Sequence, residues 1–284
     1  MTNTTVISIE TVIDYIENNL DGKLGLDTVS EAVHYSKYHL HRIFTDTVGI
    51  TLHDYVQRRQ LTEAAKLLIF SDKSIIEIAL ICGYESQQAF TLAFKGMYKV
   101  PPAEYRDNSV FYPLQLRFTL HRDATIMEFT KDSIRLARNT DISDWMDLMR
   151  LVIDGYPVMD EKDYLKKLEE SISENRALVL KDGNILIGAM AFTYTPGNIE
   201  FLGVHPQYRN RGIQKLFLDA LLETYLPGQE IYTTTYREED KADTGHRDML
   251  LQLGFAEREL LLEFGYPTQR FVLPPKKQED IKHG

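Results

Sequence analysis

A duplication constrains this chain more than any other feature. Shifting residues 36–44 by fifty positions sets Ser36 on Ser86, Leu40 on Phe90, Ile43 on Ala93 and Phe44 on Phe94. Each copy is a helix-cap residue followed by apolar residues at +4, +7 and +8, the stripe that one face of a helix buries. Ahead of each copy stands a tight connection, His34-Tyr35 in one and Gly83-Tyr84 in the other, so each unit reads as helix, short turn, helix. The positions outside the stripe, at +1, +2, +5 and +6, are those that a groove-reading helix presents. They are Lys37, Tyr38, His41 and Arg42 in the first copy, and Gln87, Gln88, Thr91 and Leu92 in the second.

Between the copies, residues 51–70 form one amphipathic run, which at 1.5 Å per residue makes about 30 Å of helix. Successive major grooves lie about 34 Å apart, so one polypeptide can set two reading helices on one face of DNA as a monomer. An ordinary helical bundle has the same periodicity, but it does not call for duplicated units at this spacing. Further caps stand at Thr51 and at Ser74, the latter in a capping box with Glu77. No strand alternation interrupts residues 1–107, which read as all-α.

The texture changes after Pro101-Pro102. Short β-rich runs follow, Ile134 to Ala137, Ala177 to Leu180, Ile185 to Tyr194 and Ile231 to Tyr236, with a turn at Asp182-Gly183. Helical runs lie at Ser143 to Ile153 and Arg211 to Tyr225. The expected architecture is multidomain: an all-α double helix-turn-helix domain over 1–107, a linker over 108–130, an α/β (α+β) domain over 131–273, and a charged, frayed tail over 274–284. Within the linker, Leu114, Leu116, Phe118 and Leu120 alternate with polar residues, a pattern that fits a strand pair. The single Cys82 cannot form an intramolecular disulfide, residues 1–30 show no leader pattern, and the longest apolar-leaning stretch is the ten residues from Ile185. These features predict a cytoplasmic protein without a membrane span. A net charge of −10 argues against a protein that coats nucleic acid without specificity, though not against local basic faces. Residues 1–107 hold 10 Lys and Arg against 14 Asp and Glu, a net of −4, which predicts weak and salt-dependent DNA affinity.

The first motif runs from Leu26-Asp27 through Tyr35-Ser36-Lys37-Tyr38-His39-Leu40-His41-Arg42-Ile43-Phe44. The second takes in Ile78-Ala79, Cys82-Gly83-Tyr84, Ser86-Gln87-Gln88-Ala89-Phe90 and Phe94-Lys95, and ends at Pro101-Pro102 and Tyr105-Arg106. Residues 6–107 thereby resemble the DNA-binding domain of AraC-type transcription regulators. The resemblance implies that Tyr38, His41, Arg42, Gln87 and Gln88 approach base edges, with Thr91 on the same face. It implies that Lys37, Lys95 and the helix N-termini hold phosphates. One departure is Leu92, which stands where the family usually has arginine and opposite Arg42 in the repeat. It forfeits about 1–3 kcal/mol of guanine discrimination.

In the second half, Phe201-Leu202-Gly203-Val204-His205-Pro206-Gln207-Tyr208-Arg209-Asn210-Arg211-Gly212-Ile213-Gln214-Lys215 passes from strand through a polar turn to helix. Amides at such a helix start, with Arg209 and Arg211 beside them, suit a pyrophosphate, and Gly212 permits close approach to the backbone. A surface turn with two solvated arginines would read the same way. The run resembles motif A of GNAT-type N-acetyltransferases, and the likeness extends over most of residues 132–265. It implies a mostly antiparallel sheet splayed at its middle, with acetyl-CoA held by Val204, Arg209, Asn210, Arg211, Gly212, Ile213 and Gln214. Two positions depart from the family: Gln214 replaces a small residue, and Leu250 stands where many members have the tyrosine that protonates the departing thiolate. A base for the acceptor amine is sought in Glu200 or His205. Asp154, Tyr156, Asp160 and Glu161 are candidates to receive a small cationic amine. Trp145 and Cys82 read as core residues, and the spacing of His34, His39 and His41 predicts no metal site. The function expected is a transcription regulator whose second domain binds acetyl-CoA or an amine as effector. The alternative is an active acetyltransferase whose DNA-binding domain governs its own expression.

Overall fold

A computed structural model describes residues 3–121, 128–152, 160–263 and 265–275. It divides into two compact units, one of residues 1–126 with 150–157 and 206–210, the other of 127–149, 158–205 and 211–284. No described helix is long and apolar enough to cross a membrane.

The helical unit opens with α1 (Asn3–Glu17), α2 (Leu26–Ala32) and α3 (Lys37–Val48). The 19-residue α4 (Leu52–Phe70) follows, then α5 (Ile75–Ile81), α6 (Gln87–Tyr98) and α7 (Pro102–Asn108). The caps read from sequence fall where expected. Ser36 accepts from the His39 amide, Thr51 from Asp54 and Ser86 from Ala89, and Ser74 and Glu77 close a capping box. The fifty-residue period extends beyond the caps. Helix α3 buries Leu40, Phe44, Thr47 and Val48, and α6 buries Phe90, Phe94, Met97 and Tyr98. Both helices end on a left-handed residue, Gly49 and Lys99. The α5–α6 turn passes through Gly83 at φ +79°, where a Cβ would stand 2.7 Å from the Gly22 carbonyl oxygen. Around the first copy, Ile9, Ile13, Leu40, Phe44 and Tyr55 share one apolar core.

That core is knotted to a polar network. Glu17 accepts two hydrogen bonds from Arg59, at 2.8 and 2.7 Å, and one from the Tyr55 hydroxyl at 2.8 Å. Burial raises the Tyr55 phenol well above its usual range, with the Glu17 charge acting in the same direction.

The expected strand pair over 108–130 does not form among the described residues. Residues 110–121 carry no strand and bend at Leu114, and side chains take the place of a ladder. Thr62 Oγ1 accepts from the Leu114 and Gln115 amides, both at 3.1 Å, Arg59 donates to the Gln115 carbonyl at 3.0 Å, and the Tyr112 amide donates to the Tyr105 hydroxyl at 3.1 Å. Leu114, Phe118 and Leu120 are buried and Leu116 is not. The period-two spacing of these leucines and Phe118 is thus only partly realised in burial, since Gln115 is buried and Leu116 is not.

The second unit is a seven-stranded sheet in the order β1-β2-β3-β4-β5-β7-β6. Its strands are β1 (Arg135–Leu136), β2 (Ala177–Asp182), β3 (Ile185–Thr193), β4 (Asn198–Val204), β5 (Ile231–Tyr236), β6 (Ala256–Glu263) and β7 (Tyr266–Leu273). The helices are α8 (Ile142–Val152), α9 (Glu161–Ser173), α10 (Ile213–Ala220) and α11 (His246–Gln252). All neighbouring strands are antiparallel except β4 and β5, whose ladder holds the single pair Asn198↔Tyr232. Beyond that pair the sheet splays, as the resemblance implied. The run read as one helix from Arg211 to Tyr225 is three pieces: a 3-10 turn (Pro206–Arg211), α10, and a π turn (Leu221–Tyr225). Gly212, left-handed at φ +68°, separates the first two. The tail from residue 276 lies outside the described residues.

Asp141 anchors the edge where β1 meets α8. It is 2% exposed, accepts both Arg135 nitrogens at 2.7 and 2.8 Å and the Arg138 amide at 2.9 Å, and lies 3.2 Å from Lys181 Nζ. The Arg135 guanidinium holds its carboxyl well below the usual carboxylate range.

Candidate functional site

Two surfaces meet the chemical demands read from the sequence. The first is the outer face of the helix-turn-helix pair. Lys37, Tyr38, His41 and Arg42 on α3 are exposed, as are Gln87, Gln88, Leu92 and Lys95 on α6, whereas Thr91 is half-buried. Tyr38 and Leu92 are 81% and 70% exposed, large apolar groups that folding leaves in water. On α6, Gln87, Gln88, Thr91, Leu92 and Lys95 line an open hollow of about 350 Å³. Lys37 Nζ lies 2.7 Å from Asp27 Oδ1, both side chains being exposed. Such a surface pair is worth little, so a phosphate can displace the aspartate. The 19 residues of α4 give about 28 Å of helix between the two motifs.

The second surface is the start of α10. Gly212 is its N-cap and supplies no side-chain cap, so the amides of Ile213, Gln214 and Lys215 keep the unmet donors of a first helical turn. A Cβ on Gly212 would meet nothing within 4 Å, which leaves open space beside these donors. Asn210 is exposed, while Arg209, Arg211 and Gln214 are half-buried. Two contacts fix this helix start. Ile213 is fully buried, and β3 presents Gly188 to α10, where a methyl would stand 2.7 Å from Phe217 Cε2 and 3.2 Å from Ile213 Cγ2. Val204 is buried and pairs with Gly188 in the ladder. Gly188 was missed from the sequence, although a glycine inside an apolar strand is the signal for such a close approach.

The catalytic candidates separate. Glu200 is the extra residue of a bulge in β4, since Ala191 pairs with Phe201 and Phe192 with Ile199. Bulges re-aim a side chain. Its carboxylate is 46% exposed and lies 3.6 Å from Arg176 Nη1. Arg176 also pairs with Glu174 at 2.6 Å and donates to the Phe192 carbonyl at 3.2 Å. Tyr164 stands nearby, its hydroxyl accepting from Trp145 Nε1 at 2.9 Å. Burial pushes the Tyr164 phenol up to about 12, aided by the Glu200 charge. Phe201 packs against Trp145 and Tyr164. His205 is buried, and its amide donates to the Ile187 carbonyl at 2.8 Å. Four strand residues, 201–204, separate it from Glu200, roughly 16 Å of extended chain. Arg176 and Tyr164 carried no signal in the sequence, because each reaches this place through the fold.

Leu250 on α11 is 5% exposed, so the position at which the family places a phenol is here part of the packing. Of the acceptor candidates, Asp160 caps α9, accepting from the Lys162 and Asp163 amides at 2.7 and 3.3 Å, and Glu161 is exposed. Asp154 and Tyr156 lie outside the described residues. Cys82 is buried, and burial pushes its thiol up to about 12, which fits its reading as core.

Comparison with known proteins bears on both surfaces. A helix-turn-helix domain model matches residues 29–108, and the model of the acetyltransferase (GNAT) family matches residues 145–255. The multiple antibiotic resistance protein MarA of Salmonella typhimurium is 43% identical over 104 residues, covering 37% of this chain and 82% of its own. The TetD protein of transposon Tn10 from Escherichia coli is 43% identical over 109 residues, covering 38% and 78%. Among solved structures, a GNAT-family acetyltransferase from Bacillus cereus is 18% identical, covers 51% of this chain and 97% of its own, and gives a TM-score of 0.40.

Proposed function

The chain belongs to the AraC-type helix-turn-helix transcription regulators and carries a GNAT-family domain, and on that footing we propose that the GNAT domain is a sensor whose acyl-CoA ligand biases operator binding. In this reading α3 and α6 enter the major groove of one duplex as parts of a monomer in the cytoplasm. Arg42 and the α6 glutamines meet base edges, while Lys95 and Lys37 meet phosphates. The first-turn amides of α10, from Ile213 to Lys215, receive the pyrophosphate of acetyl-CoA, with Arg209, Asn210 and Arg211 preceding them and Val204 leading in. These residues fit the group, because the donors are uncapped and Gly212 leaves room for a phosphate. A small cationic amine is the second ligand class, attracted by Glu200 beside the Tyr164 and Phe201 rings.

The observation that carries the sensor reading is Leu250. The cradle residues are present, but the position of the expected acid is a buried leucine. Calorimetry with acetyl-CoA, followed by a thiol-release assay over a panel of amines, tests it. Binding without turnover is expected, and Gly212→Glu, which sets a carboxylate where phosphates would lie, should abolish binding. Undiminished affinity in that variant, once shown to be folded, removes the site.

The second reading, an active acetyltransferase, is favoured by Glu200. Its bulge position leaves the carboxylate half-exposed on β4, where it would accept the proton of the acceptor amine, through water, as the amine attacks the thioester carbonyl and the C–S bond breaks, the CoA thiolate leaving to take its proton from solvent. His205, being buried, serves that role less well. Turnover at ordinary enzyme rates, on the order of 10 s⁻¹, would select this reading.

A further inference from the structure

We propose that the two reading helices recognise different base chemistry, and that α6 selects an A·T element by placing Leu92 against a thymine C5-methyl group. The inference rests on the operator-binding reading above. The repeat makes the two helices comparable position by position. At the +6 position α3 carries Arg42, a guanidinium able to grip guanine O6 and N7 together. At the same position α6 carries Leu92, which is 70% exposed and lines the hollow formed with Gln87, Gln88, Thr91 and Lys95. An exposed leucine in the middle of a polar reading face gains nothing from water. It gains where a methyl group can be covered, and in the major groove only thymine offers one.

The other groups around the hollow agree. Gln87 and Gln88 are exposed amides at the helix start, and a glutamine amide matches adenine N6 and N7. Thr91, half-buried between them and Leu92, offers a further methyl and a hydroxyl. The one cation of the set, Lys95, stands nine residues after the cap Ser86, two and a half helical turns along, where it serves a phosphate. Lys95 apart, no group on the α6 reading face is a partner for guanine O6 and N7. The element under α3 therefore contains guanine, and the element under α6 consists of A·T pairs.

The test begins with the full-length chain and 40-base-pair duplexes randomised over their central 20 positions. Repeated selection should enrich two elements about one helical turn apart, one containing guanine and one made of A·T pairs. Anisotropy titrations on the enriched duplex then assign them. Arg42→Ala should lose preference only in the guanine element, and Leu92→Arg should convert the other towards G·C. Deoxyuridine in place of thymidine in the A·T element removes only the methyl groups, and should weaken the native chain about fourfold per contacted methyl. It should weaken Leu92→Ala less than the native chain. The side chain is in water, so Leu92→Ala keeps the fold. A G·C-rich element under α6, or an equal deoxyuridine effect on the native chain and Leu92→Ala, overturns the inference while leaving operator binding intact. A pool that enriches no sequence overturns operator binding itself, and this inference with it.

Discussion

Replacing Gly188 with alanine tests what holds the start of α10 in place. The added methyl would stand 2.7 Å from Phe217 Cε2 and 3.2 Å from Ile213 Cγ2. Carbon atoms settle at roughly 3.5–4.0 Å, so strand and helix must part by close to one ångström or the ring must leave its rotamer. Overpacking of this kind costs about 1–3 kcal/mol in stability. Both neighbours belong to α10, and Ile213 is its first residue, so the displacement is passed to the first-turn amides. If two phosphate hydrogen bonds are lost at about 0.5–1.5 kcal/mol each, acetyl-CoA affinity falls about 5- to 150-fold. Calorimetry with acetyl-CoA and urea unfolding, run on the same preparations, measure both quantities. Phe217→Leu added to the alanine variant relieves the closest contact and should restore part of each. An alanine variant with native stability and native affinity would refute the claim that the Gly188 contact places the cradle.

Two further outcomes follow from buried groups. Asp141→Asn should destabilise the sheet unit by about 1–3 kcal/mol at pH 7, since it takes the counter-charge from Arg135 while Lys181 keeps Asp144. The folded carboxyl titrates below its unfolded value of about 4, so its stabilising effect is complete above that pH and fades as pH falls towards the folded value. The gap in urea midpoint between variant and native chain should therefore narrow from pH 7 to pH 3, and a constant gap would count against the ion-pair account. Leu250→Tyr should cost about 1–3 kcal/mol, because the hydroxyl enters a packed site without a partner. It should not speed thiol release, and a gain of about 10²–10⁴ would show that the position faces the leaving thiolate after all.

What could be read from the sequence was local or periodic. The caps at Ser36, Thr51, Ser74 and Ser86 act within three residues of themselves, and the repeat announces two helices with the same buried stripe. Strand β5 fell on residues 231–236 as read, because turns bound it closely. The features that escaped depend on chain-distant partners. Glu17 meets Arg59 across 42 positions, Thr62 meets Leu114 across 52, and Phe217 fills the space that Gly188 leaves. The helix read from Arg211 to Tyr225 broke at Gly212 for a related reason. Its amphipathic period is continuous, but a left-handed glycine ends one turn and caps the next. Glu200 was singled out from its place on a strand, yet its setting comes from a bulge and from Arg176, neither of which has a sequence signature.

The strap over residues 110–121 has a consequence for how this DNA-reading module can be inherited. Phe118 stacks against Tyr55 at 5.4 Å between ring centres, and with Leu120 it belongs to the same core as Ile9, Ile13 and Phe44. The helix-turn-helix match ends at residue 108, before any of these residues. A gene cut at that point would carry every base-reading side chain and still leave Tyr55 uncovered, with the Thr62 hydroxyl and the Arg59 guanidinium short of their backbone partners. The portion that reads is thus shorter than the portion that folds. Recombination that joins this module to a new companion is constrained to keep the chain through Leu120 with it.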